Sequence, residues 1–325
     1  MQIKTNLENL NAYKKYLLVE DATNEFLKKN GYLKLDLPVL SPSLIPESYL
    51  EVFETDFKHN GQNRKLYLTP SPELFLKRAL AYGVGDCYYL GKSFRNSDPA
   101  ATLHSFEFTM LEFYKMGADY MDIASEVLAL LQFINTKVKN RKINLDKWEK
   151  LTVAEAFEKY AQIKEKELFD HNLFEKKASE KGYKTKGFTY EDIWSQIYTQ
   201  EVEPFMGKNG YPTLIYDYPK EFAALAKHNV GGKTSQRFEF YINGVELGDC
   251  YTELTDWKEQ EMRFADEEKR RRDSFKTIHP IDKGFIEALK YGLGNCSGIA
   301  IGMDRLAMVF ADVDTIAKLK LINIC

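Results

Sequence analysis

Two periods alternate along the chain: stretches with apolar residues every three to four positions, and shorter stretches with apolar residues at every second position. Over residues 8–30, Tyr16, Val19, Ala22, Phe26 and Leu27 recur at helical spacing, and Asn30-Gly31 supplies the stop. YLKLDLPVL reads as an alternating strand broken by Pro38, which cannot donate to a ladder and belongs at an edge or interface. KLYLTPSPELFLKRALAYG reads as a strand, a Pro-Ser-Pro turn and a helix from about Pro72. CYYLGKSFRN and EFTMLEFYKM are strands joined by the turn formers NSDPAATLHS, a long hairpin with Arg95 at one lip and His104 at the other. Residues 119–200 are mostly helical and highly charged, and their charge runs read as solvated helix faces, so this stretch is expected to be a helical insertion between sheet segments. The sheet period then returns in TLIYDYP and in RFEFYINGVELGDCYTEL, whose Asn243-Gly244 is a strong hairpin signal. DWKEQEMRFADEEKRRRDSF is a long charged helix, and CSGIAIGMDRLAMVF passes from a Gly-rich strand into a helix with Arg305 near its start.

Strand runs and helix runs that do not alternate one for one define an α+β fold, mainly an antiparallel sheet flanked by helices. No GxGxxG follows a strand and no GxxxxGK[ST] is present, which excludes Rossmann and P-loop readings. The 325 residues allow one large domain with an insertion, or two domains. A net charge of −3 gives no overall field for nucleic acid. None of the four cysteines (Cys87, Cys250, Cys296, Cys325) lies in a CxxC spacing, which argues against zinc and against a disulfide framework. The N-terminus shows no cleavage-site pattern and no stretch reaches the roughly 18 apolar residues of a membrane span, so the expected location is the cytoplasm.

Candidate chemistry gathers in three places. On the strand at 107–114, Phe108, Met110, Glu112 and Tyr114 share one face. A carboxylate between apolar and aromatic neighbours is either an edge position reaching water or the floor of a pocket that accepts from an amine. VELGDCYTELTD holds Glu246, Asp249, Glu253 and Asp256, a density that suits a divalent cation bound with nucleotide phosphates or, equally, an acidic edge that blocks strand pairing. Strict alternation puts Glu246 and Glu253 on opposite faces, so a shared site requires a bulge, for which Gly248 is the natural place. Arg95 and Arg305 flank strands that could face this pocket, and arginine forks onto phosphate.

FRN…H…EFTMLEFY resembles the motif 2 hairpin of class II aminoacyl-tRNA synthetases, SGIAIGMDRLAM resembles motif 3, and GYLKLDLPVL the weaker motif 1. TPSPELFLKRAL, RFEFYINGVEL and TELTD are similar to the lysyl branch, so that the resemblance runs from about residue 8 to 320. It implies a single class II catalytic domain over 1–325 with a helical insertion about 119–200 and, unlike tRNA-charging lysyl enzymes, no anticodon-binding OB domain. A free-standing core of this kind resembles the lysyl-tRNA synthetase paralogues that modify elongation factor P with lysine or β-lysine.

The implied roles follow position by position. Arg95 would hold the α-phosphate of ATP and Arg305 the γ-phosphate, with Phe108 stacked on adenine and His104 near the nucleotide. Glu246, Asp249 and Glu253 would lie near Mg²⁺. Glu73 would take the amino group near the substrate carboxylate, while Glu112, Tyr114 and Glu253 would hold the distal amine. Ala300, where tRNA-charging lysyl enzymes tend to have Gly, would narrow the pocket. The chain departs from the pattern at Ser97, where the family has a glutamate, in the loop DPAATL, which lacks its usual basic residue, and at Asp249-Cys250, where the family has asparagine and then glycine.

The expected function is therefore ATP-dependent formation of a lysyl- or β-lysyl-adenylate and transfer to a lysine of elongation factor P, by a homodimer that needs neither tRNA nor membrane. The alternatives are a related ligase with ammonia or tRNA as acceptor, and a non-catalytic binding protein on the same core. An amidating enzyme would want a cation where Glu112 and Glu253 stand.

Overall fold

A computed structural model describes residues 2–96 and 101–324. In chain order the elements are β1 (Ile3–Thr5), α1 (Leu10–Lys29), β2 (Leu33–Lys34), β3 (Leu40–Ser41), β4 (Glu54–His59), β5 (Gln62–Leu68), α2 (Glu73–Ala81), β6 (Cys87–Phe94), β7 (Glu107–Met116) and α3 (Tyr120–Val138). There follow β8 (Glu149–Thr152), α4 (Val153–Ala156), α5 (Glu165–Leu168), α6 (His171–Glu180), α7 (Tyr190–Ile197), β9 (Thr213–Pro219), β10 (Thr234–Ile242) and β11 (Val245–Thr252). The chain closes with α8 (Trp257–Asp273), α9 (Lys283–Gly292), β12 (Cys296–Gly302), α10 (Met303–Ala311) and β13 (Ile322–Ile324). Among the described residues no helix is long and apolar enough to cross a membrane. These elements form two compact units, the first drawn from Met1–Ala118, Phe133–Asn140 and Leu254–Cys325, the second from Asp119–Gln132 and Arg141–Glu253.

In the first unit the strands run β2-β6-β7-β12. The β6–β7 hairpin pairs antiparallel from Cys87↔Tyr114 to Phe94↔Glu107, and Arg95 N–H donates to the Phe106 carbonyl at 2.9 Å to close the ladder beyond it. β12 lies antiparallel on the other side of β7, with Gly298 opposite Tyr114 and Ala300 opposite Glu112. α1 packs against α10, burying Val19, Ala22, Phe26 and Leu27 on the face that the helical spacing marks. α2 packs against α9, and the two are tied where Arg78 Nη1 meets Asp282 Oδ2 at 3.1 Å. Asp282 also caps α9, accepting from Gly284 N–H, so one carboxylate fixes both helices.

YLKLDLPVL is not one strand. It splits into β2, parallel to β6, and β3, paired with β5, because Pro38 offers no N–H and turns the chain between them. A second hairpin, β4–β5, stands beside β3, and its turn residues Asn60 and Gly61 both have positive φ (49° and 75°).

The second unit has strands in the order β11-β10-β9-β8. The stretch expected to be mostly helical also contributes β8, parallel to β9, as an edge strand before α4–α7. Its core is aromatic: Phe157, Trp194 and Tyr198 stack together, with Trp194 and Tyr198 4.6 Å apart at 13°. The β10–β11 hairpin turns at Asn243-Gly244, with φ of 53° and 78°. The register shifts between Phe240 and Tyr241: Phe240 faces Gly248 and Tyr241 faces Glu246, leaving Leu247 as the extra residue. That bulge, next to Gly248, resets the alternation and puts Glu246, Asp249, Tyr251 and Glu253 on one face.

Candidate active site

The first unit gathers the motif 2 and motif 3 residues. Phe108, Met110, Glu112 and Tyr114 share a face of β7, as their spacing demands. Glu112 is 2% exposed and accepts two hydrogen bonds, from the Tyr114 hydroxyl on Oε1 and the Ser71 hydroxyl on Oε2, both at 2.9 Å. Burial, and after it the charge of Glu73, push the Glu112 carboxyl up to about 8, opposed by the Tyr114 and Ser71 hydrogen bonds and the Lys77 charge. Ser71 also caps the start of α2, accepting from the Glu73 N–H at 3.1 Å.

Glu73 lies in the first turn of α2, and one turn later Lys77 brings Nζ to 2.5 Å from Glu73 Oε1. Lys77 is 2% exposed, and its ammonium lies 5.7 Å from the Phe285 ring centroid. A buried lysine needs such a partner. The Glu-to-Lys spacing of four was a readable helical pair, but its burial was not.

β12 presents small residues to this face. A Cβ on Gly298 would run into the Tyr114 ring directly opposite, so glycine is what leaves room for that ring, whose hydroxyl reaches Glu112. Gly298→Ala is expected to push the ring aside, break the Tyr114–Glu112 hydrogen bond and cost about 1–3 kcal/mol of stability, measurable by urea unfolding. An unchanged midpoint together with unchanged amino-acid affinity would refute that packing argument.

At the hairpin lip, the Arg95 guanidinium lies over the Phe108 ring, 5.2 Å from its centroid. Arg305, at the start of α10, donates Nε to the Leu103 carbonyl at 3.1 Å and Nη2 to His104 Nε2 at 2.8 Å. An arginine cannot accept, so that His104 nitrogen is the acceptor. Arg305 and His104 are therefore in direct contact, and Asp304 beside them accepts from the Thr109 N–H at 2.7 Å, fixing α10 to β7 next to Phe108. Ser97 lies outside the described residues.

The acidic face of β10–β11, in the second unit, is organised around a residue that the sequence reading passed over. Arg237 forks onto Asp249, Nε to Oδ1 and Nη2 to Oδ2, each at 3.0 Å, and Nη2 also reaches Glu239 Oε1 at 2.8 Å. Tyr251 donates to Asp249 Oδ2 and Tyr241 to Glu239 Oε2, both at 2.6 Å. Burial pushes Glu239 up to about 7 against the pull of Arg237, with Glu246 and Asp249 adding to the rise.

Both oxygens of Asp249 are thus engaged by donors of the protein itself. Glu253, 1% exposed, follows β11 and bridges to Ala226. Asp256 is the N-cap of α8, accepting from Lys258 N–H. Among the described residues no three His, Cys, Asp or Glu side chains are grouped so as to hold a metal on their own.

An antiparallel core bearing a motif 2 hairpin and a Gly-rich strand that runs into an arginine-bearing helix defines a class II synthetase. Residues 5–321 match the family described as tRNA synthetases class II (D, K and N), and the chain belongs to that family. It is also 33% identical, over 312 residues covering 93% of this chain and 92% of the relative, to the elongation factor P–(R)-β-lysine ligase of Buchnera aphidicola subsp. Schizaphis graminum (strain Sg).

Proposed function

We propose that this chain activates lysine or β-lysine with ATP as an aminoacyl-adenylate and passes the acyl group to a lysine of elongation factor P. The observation that carries the reading is Glu112: a buried carboxylate, held by Ser71 and Tyr114 and raised to about 8, is a receptor for an ammonium group. The family includes branches for aspartate and asparagine, whose side chains bring no ammonium to draw the proton off Glu112 and pair with its carboxylate. The named relative supports elongation factor P as acceptor.

In the first step a carboxylate oxygen of the amino acid attacks the α-phosphorus and pyrophosphate departs. Charge develops on the phosphoryl oxygens, and Arg95 stands ready to take it. Phe108 carries Arg95 over one face of its ring and offers the other to adenine. Arg305, with His104, closes on the γ-phosphate. Mg²⁺, which accompanies ATP in such chemistry, would neutralise phosphate charge when bound, and Glu246, Asp249 and Glu253 are the carboxylates that the resemblance offers for it. In the second step the deprotonated ε-amine of the acceptor lysine attacks the acyl carbon and AMP leaves. Ala300, opposite Glu112, narrows the amine end.

Leu10, Leu17 and Leu18 lie exposed along α1, between 40% and 47%, and a second copy of the chain would cover them. Sedimentation of the chain as a monomer at micromolar concentration would remove the dimer from this reading.

ATP–pyrophosphate exchange over a panel of amino acids tests activation before any acceptor is supplied. Exchange is expected with lysine or β-lysine and not with aspartate or asparagine. Labelled lysine or β-lysine should then appear on elongation factor P, and no labelled protein with either would refute the acceptor.

The raised Glu112 carboxyl makes a pH prediction. Below about 8 the empty pocket keeps a proton on Glu112 that an incoming ammonium must displace. Affinity for lysine should therefore rise with pH, by up to about tenfold per unit, and level off near 8, since the ligand amine stays protonated to about 10. Glu112→Gln should weaken binding and remove the rise between pH 7 and 8. A wild-type profile flat from pH 6 to 8 would refute the proton displacement.

A further inference from the structure

Counting charges on the first unit's pocket leaves a deficit. Glu73 is matched by Lys77 at 2.5 Å, so that pair is neutral. Glu112 alone answers one ammonium. Lysine and β-lysine carry two, and the group beside their carboxylate needs a further negative charge if it is to be held as an ion pair.

A third carboxylate stands at the right place. Glu47 lines, with Ser71 and Glu73, a small cavity of about 10 Å³, room for one water-sized group, walled by Leu44, Ile45 and Leu74. It lies within the electrostatic reach of both Glu73 and Arg95: burial and then the Glu73 charge push its carboxyl up to about 7, and Arg95 pulls it down. It therefore shares a cavity with the group expected to take the amino function and feels the charge of the group expected to take the phosphate.

The loop that carries Glu47 is held as a binding element would be. Arg271 of α8, 2% exposed, donates Nη1 to the carbonyls of Glu47 (2.7 Å) and Leu50 (2.6 Å) and Nη2 to that of Thr277 (2.6 Å). Ser48 N–H donates to Glu267 Oε2 at 2.7 Å. A buried guanidinium that donates to three carbonyls holds the backbone at Glu47 and Leu50 and leaves the Glu47 side chain to adjust. Glu47 Oε1 accepts from the Tyr49 hydroxyl at 2.9 Å, which orients the carboxylate.

We infer that Glu47 is a substrate-binding residue that, together with Glu73, holds the ammonium group next to the substrate's carboxylate, and so selects amino acids with two ammonium groups. This rests on the assignment of Glu73 above. With Glu47 included, three carboxylates and the Lys77 ammonium leave a surplus of two negative charges when ionised, which matches the two ammonium groups of the ligand.

The test is calorimetric binding to the full chain of two probes: L-lysine, and 6-aminohexanoate, which keeps the carboxylate and distal ammonium but lacks the amine beside the carboxylate. Glu47→Gln is expected to weaken L-lysine by about tenfold or more, as loss of a charge-assisted contact does, and to leave 6-aminohexanoate within about twofold. Glu47→Asp, which keeps the charge but retracts it, should fall between. Glu73→Gln is measured alongside. If Glu73→Gln selectively weakens L-lysine while Glu47→Gln weakens neither probe, or both equally, the inference about Glu47 is wrong and the assignment of Glu73 stands. If Glu73→Gln leaves L-lysine binding unchanged, or if L-lysine does not bind the wild-type chain, the assignment on which the inference rests fails first.

Discussion

Replacing Arg237 by methionine should lower the unfolding free energy by about 3–5 kcal/mol, the range for removing one partner of a buried ionic network. Arg237 is 15% exposed, and its partners Glu239 and Asp249 are 13% and 24% exposed. One cation serves two carboxylates, donates Nη1 to the Phe222 carbonyl at 2.7 Å, and lies over the Tyr218 ring at 4.5 Å. Methionine fills the volume but strands both acids and the carbonyl. The effect has a sign in pH. Burial already raises both carboxyls in the folded chain, so folding takes up protons there, and stability contributed by these groups falls as pH rises from the ordinary carboxylate range toward their folded values. Without Arg237 those values rise further, so the loss should be larger at pH 8 than at pH 5. Asp249→Asn on the Arg237→Met background should recover part of it. Urea unfolding at the two pH values checks this, and a loss below 1 kcal/mol at pH 8 would show the network to be solvated.

This network also shows where the sequence could and could not be read. The β10–β11 hairpin was legible because Asn243-Gly244 is a strong hairpin signal, and the bulge was legible only on the condition that Glu246 and Glu253 serve one site, since acids seven residues apart otherwise face opposite ways. Arg237 was not. Its partner is diagonal across a ladder, and only the register, Arg237 opposite Tyr251 and Glu239 opposite Asp249, reveals that Asp249 answers a cation of the protein. The β7 face was legible from period two alone, and with it the grouping of Phe108, Glu112 and Tyr114. Ser71 and Lys77 lie in a turn and a helix whose local pattern fits a simple cap and a solvent pair, and what changes their meaning is burial against β7 and α9. Glu47 comes from a loop with no periodicity at all, made rigid by Arg271 more than two hundred residues along the chain. β4–β5 had a signal in Asn60-Gly61 that the polar, exposed flanking strand masked, and β8 was hidden because one short strand in a charged helical stretch leaves no period to detect.

Arg95→Ala should lower kcat/KM for pyrophosphate exchange by about a hundred- to a thousandfold, the usual cost of removing one donor to a developing oxyanion. The structure gives reasons to expect a chemical and not a folding defect. The backbone of Arg95 is locked by its N–H to the Phe106 carbonyl, a bond that alanine keeps. Its buried Nε has no hydrogen-bond partner among the described residues, so truncation strands no acceptor there. What holds the guanidinium is the Phe108 ring, a contact worth about 0.5–1 kcal/mol when exposed and more when dry. Melting temperature should therefore move little while the loss falls on kcat, since the transition state gains more from the cation than the ground state does. Arg95→Lys keeps the charge but not the planar fork, and should recover only part of the rate. Losing the charge also removes what pulls the Glu47 carboxyl down, so lysine binding to Arg95→Ala should weaken at neutral pH as Glu47 holds its proton more tightly. A variant that exchanges pyrophosphate at the wild-type rate would detach Arg95 from the phosphate, whatever its place beside Phe108.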